Sequence, residues 1–265
     1  MNTADMKQLS SSTEIATQYT NLAPHYDELM DMVPYDAWVE YVLLLLEIAH
    51  SKPKTILDCA CGTGNVSFEL ASHGFEVTGI DLSIGMVVAA KEKLQQHDSP
   101  LFLQFEQADL TNFQMNRTFD AATCLYDSLN YILDPVQLEA AFAQIARHIV
   151  PGGIFVFDMN APWAFEANLF TQQSKNPRKR LHYKWQADFN KETRICDVTM
   201  LFERQTEEGL QRFSEVHRER AYSLDEVTAM LERTGWQLLK TYDAYTLNAP
   251  HRRSERWYFL AKRVE

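Results

Sequence analysis

The spacing of apolar residues changes along the chain, and each spacing predicts a different element. Nearly continuous apolar runs predict buried strands at about 54–58, 75–80, 101–107, 119–125 and 154–158. Apolar residues three and four positions apart predict helices at about 35–49, 65–73, 84–96 and 135–149. Because such strands and helices alternate, residues 54–158 are predicted to form βαβ units with parallel strands and right-handed crossovers.

Local signals place the ends of several helices. Ser83 is predicted to cap one helix, and Asp134-Pro135 to supply the N-cap and first residue of another. Pro151-Gly152-Gly153 is predicted to turn the chain into the strand at 154–158. An earlier helical stretch at 14–31 contains Pro24, which is predicted to break it into two pieces.

The helical spacing disappears after residue 160. Residues 160–178 are predicted to be irregular, and an antiparallel meander is predicted from strands at His182–Phe189, Thr193–Arg204 and Leu210–Tyr222. A capping box, Ser223-x-x-Glu226, starts another helix, and two last strands predict a hairpin at the sheet edge. The predicted fold class is therefore α/β: a Rossmann-like doubly wound sheet, mostly parallel, with an antiparallel C-terminal hairpin and an inserted antiparallel β meander.

Composition narrows the class of protein. A net charge of −11 argues for a soluble protein and against a general nucleic-acid binder, so nucleic acid is not an expected partner. The four cysteines include Cys59-Ala60-Cys61, which lacks the spacing of a zinc or redox site, so free thiols in a reducing compartment and no metal are expected. Residues 1–13 carry no targeting signal, and the longest apolar run is too short to cross a membrane, which predicts a cytoplasmic protein.

A glycine-rich turn follows the first predicted strand. The strand ends at Asp58, and Gly62 and Gly64 then precede a helix start. Glycines let a ligand approach the backbone closely, and the helix start offers unpaired N–H groups, so the turn predicts a nucleotide-like ligand. A dinucleotide motif requires a third small residue where Ser67 stands, so that match is incomplete.

The fuller motif resembles another family. Asp58-x-Ala60-x-Gly62-x-Gly64 is similar to motif I of the class I S-adenosylmethionine-dependent methyltransferases, with Ala60 where a glycine often stands. The resemblance covers about residues 19–160 and continues through Asp81, Ser83 and Met86, Ala108-Asp109-Leu110, Phe119-Asp120, Leu125 to Tyr131, and Leu138 to Asp158. The resemblance implies that the cofactor is S-adenosylmethionine.

The resemblance implies roles for individual residues. Asp81 corresponds to the acid that accepts hydrogen bonds from the ribose hydroxyls, and Asp109 lies in the loop that meets the adenine. Asp58 either orients the turn or receives the cofactor ammonium. Capping or solvated acids are the alternatives for Asp81 and Asp109. The predicted cofactor set is Tyr19, Tyr26, Asp58, Ala60, Gly62, Gly64, Asp81, Leu82, Met86, Asp109, Leu110 and Leu125.

Three regions offer groups for the methyl acceptor. Tyr19 and Tyr26 lie in a segment that resembles a lid, with an aromatic core face as the alternative. The loop after the fourth strand places Tyr126 as a catalytic residue and Asp127 and Asn130 as substrate contacts at the ligand-binding edge of the sheet. In the meander, Glu215 and His217 share a face, and His217 is predicted as base and substrate contact, against the alternative of a solvated strand histidine.

These features together predict methyl transfer to nitrogen or oxygen of a small metabolite by in-line displacement. The meander and lid resemble glycine N-methyltransferase-like and amino-sugar N,N-dimethyltransferase groups, which favours a small substrate. The alternatives are an RNA or protein methyltransferase and a non-catalytic cofactor-binding subunit. The basic runs Arg178-Lys179-Arg180 and Arg252-Arg253 are predicted to bind an anionic substrate or RNA, with solvated loops as the alternative. The predicted division is 1–34, a disordered start and helical lid; 35–160, the cofactor-binding core; 161–222, a meander that caps substrate or forms a homodimer contact; and 223–265, completion of the core sheet.

Overall fold

The computed structural model describes residues 19, 21–176, 179–207 and 209–264. The predicted disordered start at 1–13 and the helical positions 14–18 lie outside the described residues. The same holds for Pro177 and for Arg178 of the first basic run.

Helices and strands mostly alternate from residue 35 to residue 166, and four strands in succession then form the meander. The helices are α1 Tyr26–Leu29, α2 Tyr35–Ile48, α3 Asn65–Ser72, α4 Ile84–Gln95, α5 Pro135–Arg147, α6 Pro162–Glu166 and α7 Leu224–Arg233. The strands are β1 Thr55–Cys59, β2 Glu76–Asp81, β3 Leu103–Gln107, β4 Phe119–Cys124, β5 Ile149–Asn160, β6 Gln172–Ser174, β7 Leu181–Asn190, β8 Ile195–Thr206, β9 Gly209–Arg220, β10 Trp236–Asp243 and β11 Arg256–Arg263. Short 3-10 helices cover Ala23–His25 and Ser128–Tyr131.

The larger sheet has the strand order β10-β11-β5-β4-β1-β2-β3. Strands β1 to β5 are parallel, and β10 and β11 join antiparallel at one edge, which confirms the predicted fold class. The chain proceeds from β1 to β2 and β3 on one side, then crosses to β4 on the other side of β1. In an open sheet of this kind, ligands bind beyond the carboxyl ends of the strands at such a switch point. The site is therefore expected beyond the ends of β1 and β4, at Cys59 and Cys124.

Apolar side chains cover both faces of this sheet. One cluster contains Phe155, Phe157 and Trp236 with the apolar faces of α5 and α7, and the other contains Leu45 and Tyr258 with the apolar faces of α2 and α3. Helices on both faces are what a doubly wound sheet requires, since each face must be removed from water. The two layers hold the strand ends, and hence the site, in fixed positions.

The meander forms a second sheet in the antiparallel order β6-β7-β8-β9. Successive side chains on a strand point to opposite faces, so one face carries the alternate residues of β9. On that face, Glu215 lies opposite Met200, His217 opposite Val198 and Glu219 opposite Cys196, and all three polar side chains are buried. The meander thus places three ionisable groups in one row facing the interior.

Three local predictions were wrong. The stretch at 160–178 is not irregular throughout, because Pro162 occupies the first turn of α6, where its missing N–H costs nothing, and β6 pairs with β7. Pro151-Gly152-Gly153 does not start β5 but lies within it, as a bulge between the Phe119–Ile149 and Ala121–Ile154 pairs. In the described part of 14–31, the helix is only a 3-10 turn and the four residues of α1.

The described ranges contain no helix that is both long and apolar enough to span a membrane. The four cysteines are free, and Cys59, Cys124 and Cys196 are buried.

Candidate functional site

The glycine-rich turn leaves β1 through three residues in the left-handed region, where φ is 54° at Ala60, 57° at Gly62 and 84° at Gly64. A Cβ added at Gly64 would lie 2.5 Å from Cζ of Phe105, so packing requires glycine there. A Cβ at Gly62 would meet nothing within 4 Å. The backbone at Gly62 therefore has open space beside it, as a ligand-binding turn needs.

Asp58 ties this turn to the sheet. Its buried carboxylate accepts hydrogen bonds from the hydroxyls of Ser67 on α3, at 2.5 Å, and Thr123 on β4, at 2.8 Å. Ser67, the residue that breaks the dinucleotide motif, thus has a defined partner. The contacts support the prediction that Asp58 orients the turn, and its contact with the cofactor ammonium stays a prediction.

The Asp58→Asn substitution is expected to change how stability depends on pH. Burial raises the pKa of Asp58 from an ordinary 3.8 to about 6, although the two hydroxyls lower it. Because the folded chain then holds this proton more tightly than the unfolded chain, stability falls as pH rises through this range, by up to about 3 kcal/mol. Asparagine keeps both hydroxyl partners and has no proton to lose. Denaturant unfolding should therefore show the free energy of unfolding of the variant rising relative to that of the wild type between about pH 4 and 7. Parallel pH curves would contradict this assignment.

Asp81 joins the end of β2 to the turn. One carboxylate oxygen accepts from the N–H of Gly62 and the other from the N–H of Ser83, both at 2.8 Å. The cap of α4 is Ser83, as predicted, and its hydroxyl accepts from the N–H of Met86. Asp81 is therefore not the helix cap, and its partly exposed carboxylate lies directly beside the open turn.

The remaining predicted cofactor residues near Asp81 differ in their exposure. Leu82 is 66% exposed, whereas Met86 and Leu125 are buried. Asp109 uses one oxygen for the N–H and the hydroxyl of Thr111, each at 2.8 Å, which closes the loop after β3. Ahead of Leu110, the N–H of Ala108 donates to the carbonyl of Asp81, so this loop lies next to the end of β2. An adenine contact by this loop stays a prediction.

The segment predicted as a lid contacts the turn through Asp27. Its carboxylate accepts from the hydroxyl of Thr63 at 2.6 Å and from the side-chain amide of Asn65 at 3.0 Å, and it pairs with Lys93 at 2.7 Å. Asp27 was not predicted, because an acid in a short polar helix carries no signal of such a role. Its neighbour Tyr26 lines a cavity on the other side of the segment.

That cavity has a volume of about 610 Å³ and lies between the lid segment, the carboxyl edge of the sheet and the inner face of the meander. The lining side chains that matter for chemistry are Tyr19, Tyr126, Asp127, Tyr131, His217 and Glu219. The cavity thus brings together the predicted residues of all three regions. The carboxylate of Glu219 was not predicted.

A chain of hydrogen bonds runs along one wall of the cavity. The hydroxyl of Tyr19 donates to that of Tyr131 at 2.9 Å, and Tyr131 lies 3.0 Å from Nδ1 of His217. Nε2 of His217 lies 2.7 Å from a carboxylate oxygen of Glu215. Because a carboxylate only accepts, Nε2 of the neutral ring carries the proton and Nδ1 accepts from Tyr131. His217 is 1% exposed, so the alternative of a solvated histidine is wrong.

The loop after β4 enters the cavity in a strained conformation, with φ of 64° at Tyr126 and 54° at Asp127. Arg256 lies over the Tyr126 ring, and burial raises the pKa of the Tyr126 phenol, so the hydroxyl stays protonated at neutral pH. Asp127 accepts from Arg256 at 2.7 Å, and Arg256 also pairs with Asp158. Burial raises the pKa of Asp127 to about 6, against the lowering effect of Arg256.

Asn130 does not face the cavity, contrary to prediction. Its side chain is fully buried, with Oδ1 accepting from the N–H of Asn160 and Nδ2 donating to the carbonyl of Arg220. Both amide groups are thus used to join β5 to β9. Because its amide has no group left for a substrate, Asn130 is a structural residue that holds the wall of the site in place.

Glu219 is the buried carboxylate that sequence analysis missed. It is 4% exposed and accepts from the amide of Asn160 at 2.9 Å. Burial raises its pKa well above the ordinary value, and the nearby Asp127 adds to this effect. The strand alternation that paired Glu215 with His217 extends to Glu219, so this signal was present in the sequence.

Comparison with known proteins places these features in a family. Residues 56–153 match the family model for a methyltransferase domain. The putative methyltransferase YqeM of Bacillus subtilis (strain 168) is 34% identical over 249 residues, which cover 92% of this chain and 97% of that protein. A dTDP-3-amino-3,6-dideoxy-alpha-D-glucopyranose N,N-dimethyltransferase of Streptomyces fradiae is 29% identical over 60% of this chain and 62% of that protein.

A solved structure agrees over nearly the whole chain. The S-adenosylmethionine-dependent methyltransferase from Clostridium acetobutylicum ATCC 824 superposes with a TM-score of 0.81 at 27% identity, covering 94% of this chain and 100% of that one. The predicted family and cofactor are thereby confirmed. The chain belongs to the S-adenosylmethionine-dependent methyltransferases.

Proposed function

We propose that this enzyme methylates a nitrogen atom of a small metabolite that binds in the cavity between the lid segment and the meander. The observation that carries the proposal is the buried carboxylate of Glu219, which faces the cavity near the Tyr19 and Tyr131 hydroxyls. A volume of about 610 Å³ is within the usual range for small-molecule sites. The proposal is narrower than the prediction of transfer to nitrogen or oxygen.

The residues of the turn fit the cofactor. Gly62 leaves open space at the backbone, Asp81 offers a carboxylate for a ribose diol, and Asp58 holds the turn in place. When bound, S-adenosylmethionine supplies an electrophilic methyl group, which the acceptor takes by in-line displacement. The protein's part is to hold the acceptor, exclude water and remove a proton.

The charges around the cavity favour an amine. Asp127, Asp158 and Glu219 are buried with one guanidinium, that of Arg256, among them. When Glu219 is ionised, these three carboxylates exceed the single guanidinium, and a protonated amine would supply the missing positive charge. Because Glu219 has a raised pKa, its carboxylate can take a proton from that ammonium and leave the neutral nitrogen as nucleophile.

The tyrosines and His217 have supporting parts. Both nitrogens of His217 are engaged by protein groups, so His217 acts on the acceptor through Tyr131 rather than directly. Tyr19 and Tyr131 present oxygen atoms at the cavity wall, where they orient the acceptor nitrogen. Tyr126 and Asp127 bound the opposite side and exclude water. The N,N-dimethyltransferase name of the Streptomyces fradiae relative supports a nitrogen acceptor.

The alternatives receive less support. Lys179 of the first basic run pairs with Asp31 of the lid segment, so this cation is not free for RNA. A non-catalytic subunit would have no use for a cavity with aligned ionisable groups. The outer face of the meander carries the ion pairs Arg218–Asp197 and Arg212–Glu203, and a homodimer through this sheet stays a prediction.

Transfer of labelled methyl groups to a metabolite panel tests the proposal. The panel should pair each amine with its hydroxyl analogue, and each reaction should be run with and without purified enzyme. We expect label in amines and not in the matched alcohols, with S-adenosylhomocysteine formed in equal amount. Label that enters only hydroxyl compounds would overturn the nitrogen assignment, and label that enters only RNA or protein would overturn the small-metabolite acceptor.

A further inference from the structure

One buried carboxylate binds the start of the lid segment. Glu215 on β9 accepts from the backbone N–H of Tyr19 at 2.9 Å, of Asn21 at 2.7 Å and of Leu22 at 2.9 Å. The Glu215 side chain has no exposed surface. Three backbone groups that would otherwise need water are thus satisfied by a side chain from a distant part of the chain.

The same carboxylate also binds His217 in the wall of the cavity. Its Oε2 accepts from Nε2 of His217 at 2.7 Å, and His217 in turn accepts from Tyr131. Tyr131 accepts from the hydroxyl of Tyr19, whose own N–H is bound to Glu215. The four residues therefore form a closed ring of hydrogen bonds that includes both the lid and the acceptor site.

We propose that Glu215 is a positioning residue that couples the lid to catalysis: it holds the segment at Tyr19–Leu22 against the meander and fixes His217 and Tyr131 in the same arrangement. The acceptor site is then complete only while the lid segment is in place. The opposite end of the segment is held separately, because Asp27 of α1 binds Thr63 of the glycine-rich turn and Lys93 of α4. Loss of the Glu215 contacts should thus release the start of the segment without detaching α1.

An ionised carboxylate suits this role better than any neutral side chain. Four N–H donors converge on Glu215, and a carboxylate offers about four acceptor positions. A glutamine amide offers about two acceptor positions, and its NH₂ group would face other donors. Burial alone raises the pKa of Glu215, but the hydrogen bonds from His217 and the lid backbone outweigh burial and hold it below the ordinary value.

Hydrogen exchange of the full-length chain tests the coupling. In Glu215→Gln, we expect amide exchange in a peptide spanning residues 19–22 to accelerate about tenfold or more, while core strands β1 and β4 keep their protection. Glu203→Gln, the same substitution at a partly exposed residue paired with Arg212 on the neighbouring strand, should leave exchange unchanged. Unchanged exchange at 19–22 would overturn the proposal.

A second variant guards against simple misfolding. Asn21→Pro removes one lid N–H at an exposed position and leaves the Glu215–His217 pair in place, and it should also accelerate exchange at 19–22. If Glu215→Gln unfolds and Asn21→Pro leaves exchange unchanged, the lid contact has no such role and the proposal fails.

The kinetic part of the inference rests on the proposed function, whereas the exchange part does not. With an acceptor in hand, Glu215→Gln should lower kcat about tenfold or more, because both the lid and His217 lose their partner. A variant with fast exchange at 19–22 and unchanged kcat would refute the coupling while leaving the proposed function intact. Absence of methyl transfer by the wild type would instead refute the proposed function.

Discussion

Alanine at Asp81 is expected to weaken S-adenosylmethionine binding about tenfold or more, which corresponds to about 1.4 kcal/mol or more. The carboxylate has two functions at the end of β2. It binds the N–H of Gly62 and so shapes the turn, and it lies where the two ribose hydroxyls of the family's cofactor are expected. Hydrogen bonds to a charged group contribute about 1.5–3 kcal/mol each, so the loss of two exceeds the tenfold threshold.

Isothermal titration calorimetry with S-adenosylmethionine measures this effect without any knowledge of the acceptor. Glu76→Ala is a matched control, because Glu76 is a surface acid at the opposite end of the same strand, paired with Arg117. We expect wild-type affinity and wild-type thermal unfolding from Glu76→Ala, whereas Asp81→Ala should still unfold cooperatively but at a lower temperature, because it loses its bonds to Gly62 and Ser83. Equal affinities for Asp81→Ala and wild type would show that the ribose binds elsewhere.

The core of the fold was predictable because its signals are local. Parallel strands buried on both faces appear as continuous apolar runs, and the caps at Ser83, Asp134 and Ser223 lie within a few residues of the helices that they start. The bulge at Pro151-Gly152-Gly153 was misjudged for the same reason. Its sequence is that of a turn, and pairing with β4 on both sides of it, at Ile149 and Ile154, keeps it in the strand.

The cofactor side of the site was predictable from its motif, because Asp58, Gly62, Gly64 and Asp81 follow one another at fixed places in the strand–turn–helix order. The acceptor side was less accessible. Asp127 and Arg256 are 129 residues apart, and no local pattern says that they pair. The side-chain amide of Asn130 is a suitable substrate contact, but its orientation depends on backbone groups of β5 and β9.

The lid illustrates the same limit. Tyr19 and Tyr26 were found through resemblance, yet the contacts that fix the segment come from Glu215 and Asp27. Both acids are buried or partly buried by elements far away in sequence, so no local pattern indicated these contacts. The sequence pattern shows which residues of a strand share a face. Only the packed structure shows which of the two faces another segment covers.

Glutamine at Glu219 is expected to lower kcat for an amine substrate about a hundredfold or more, within the usual contribution of a general base. The substitution keeps the shape of the side chain and an oxygen that accepts from Asn160. It removes the group that takes the proton. Because Glu219 lines the acceptor cavity and not the glycine-rich turn, the affinity for S-adenosylmethionine should change by no more than about twofold, within the scatter expected for an independent site.

The pH profile separates proton removal from simple packing. Around Glu219 lie Asp127, Arg256, Tyr19 and Tyr131, with His217 on the same face of β9. In the wild type, kcat/KM should rise with pH as Glu219 loses its proton, since only the carboxylate can accept one from the ammonium. In Glu219→Gln the rise should move to the higher pH at which the free amine deprotonates by itself, so activity recovers there.

Rapid-quench or steady-state assays with labelled methyl groups, run from about pH 6 to 10, measure both profiles. The partly exposed Glu203→Gln substitution again serves as the control and should follow the wild-type curve. A Glu219→Gln variant whose rate is low by the same factor at every pH would show that Glu219 only shapes the cavity. A variant with wild-type kcat at neutral pH would show that another group accepts the proton. Asp127, the other buried carboxylate of the cavity lining, would then be the first candidate.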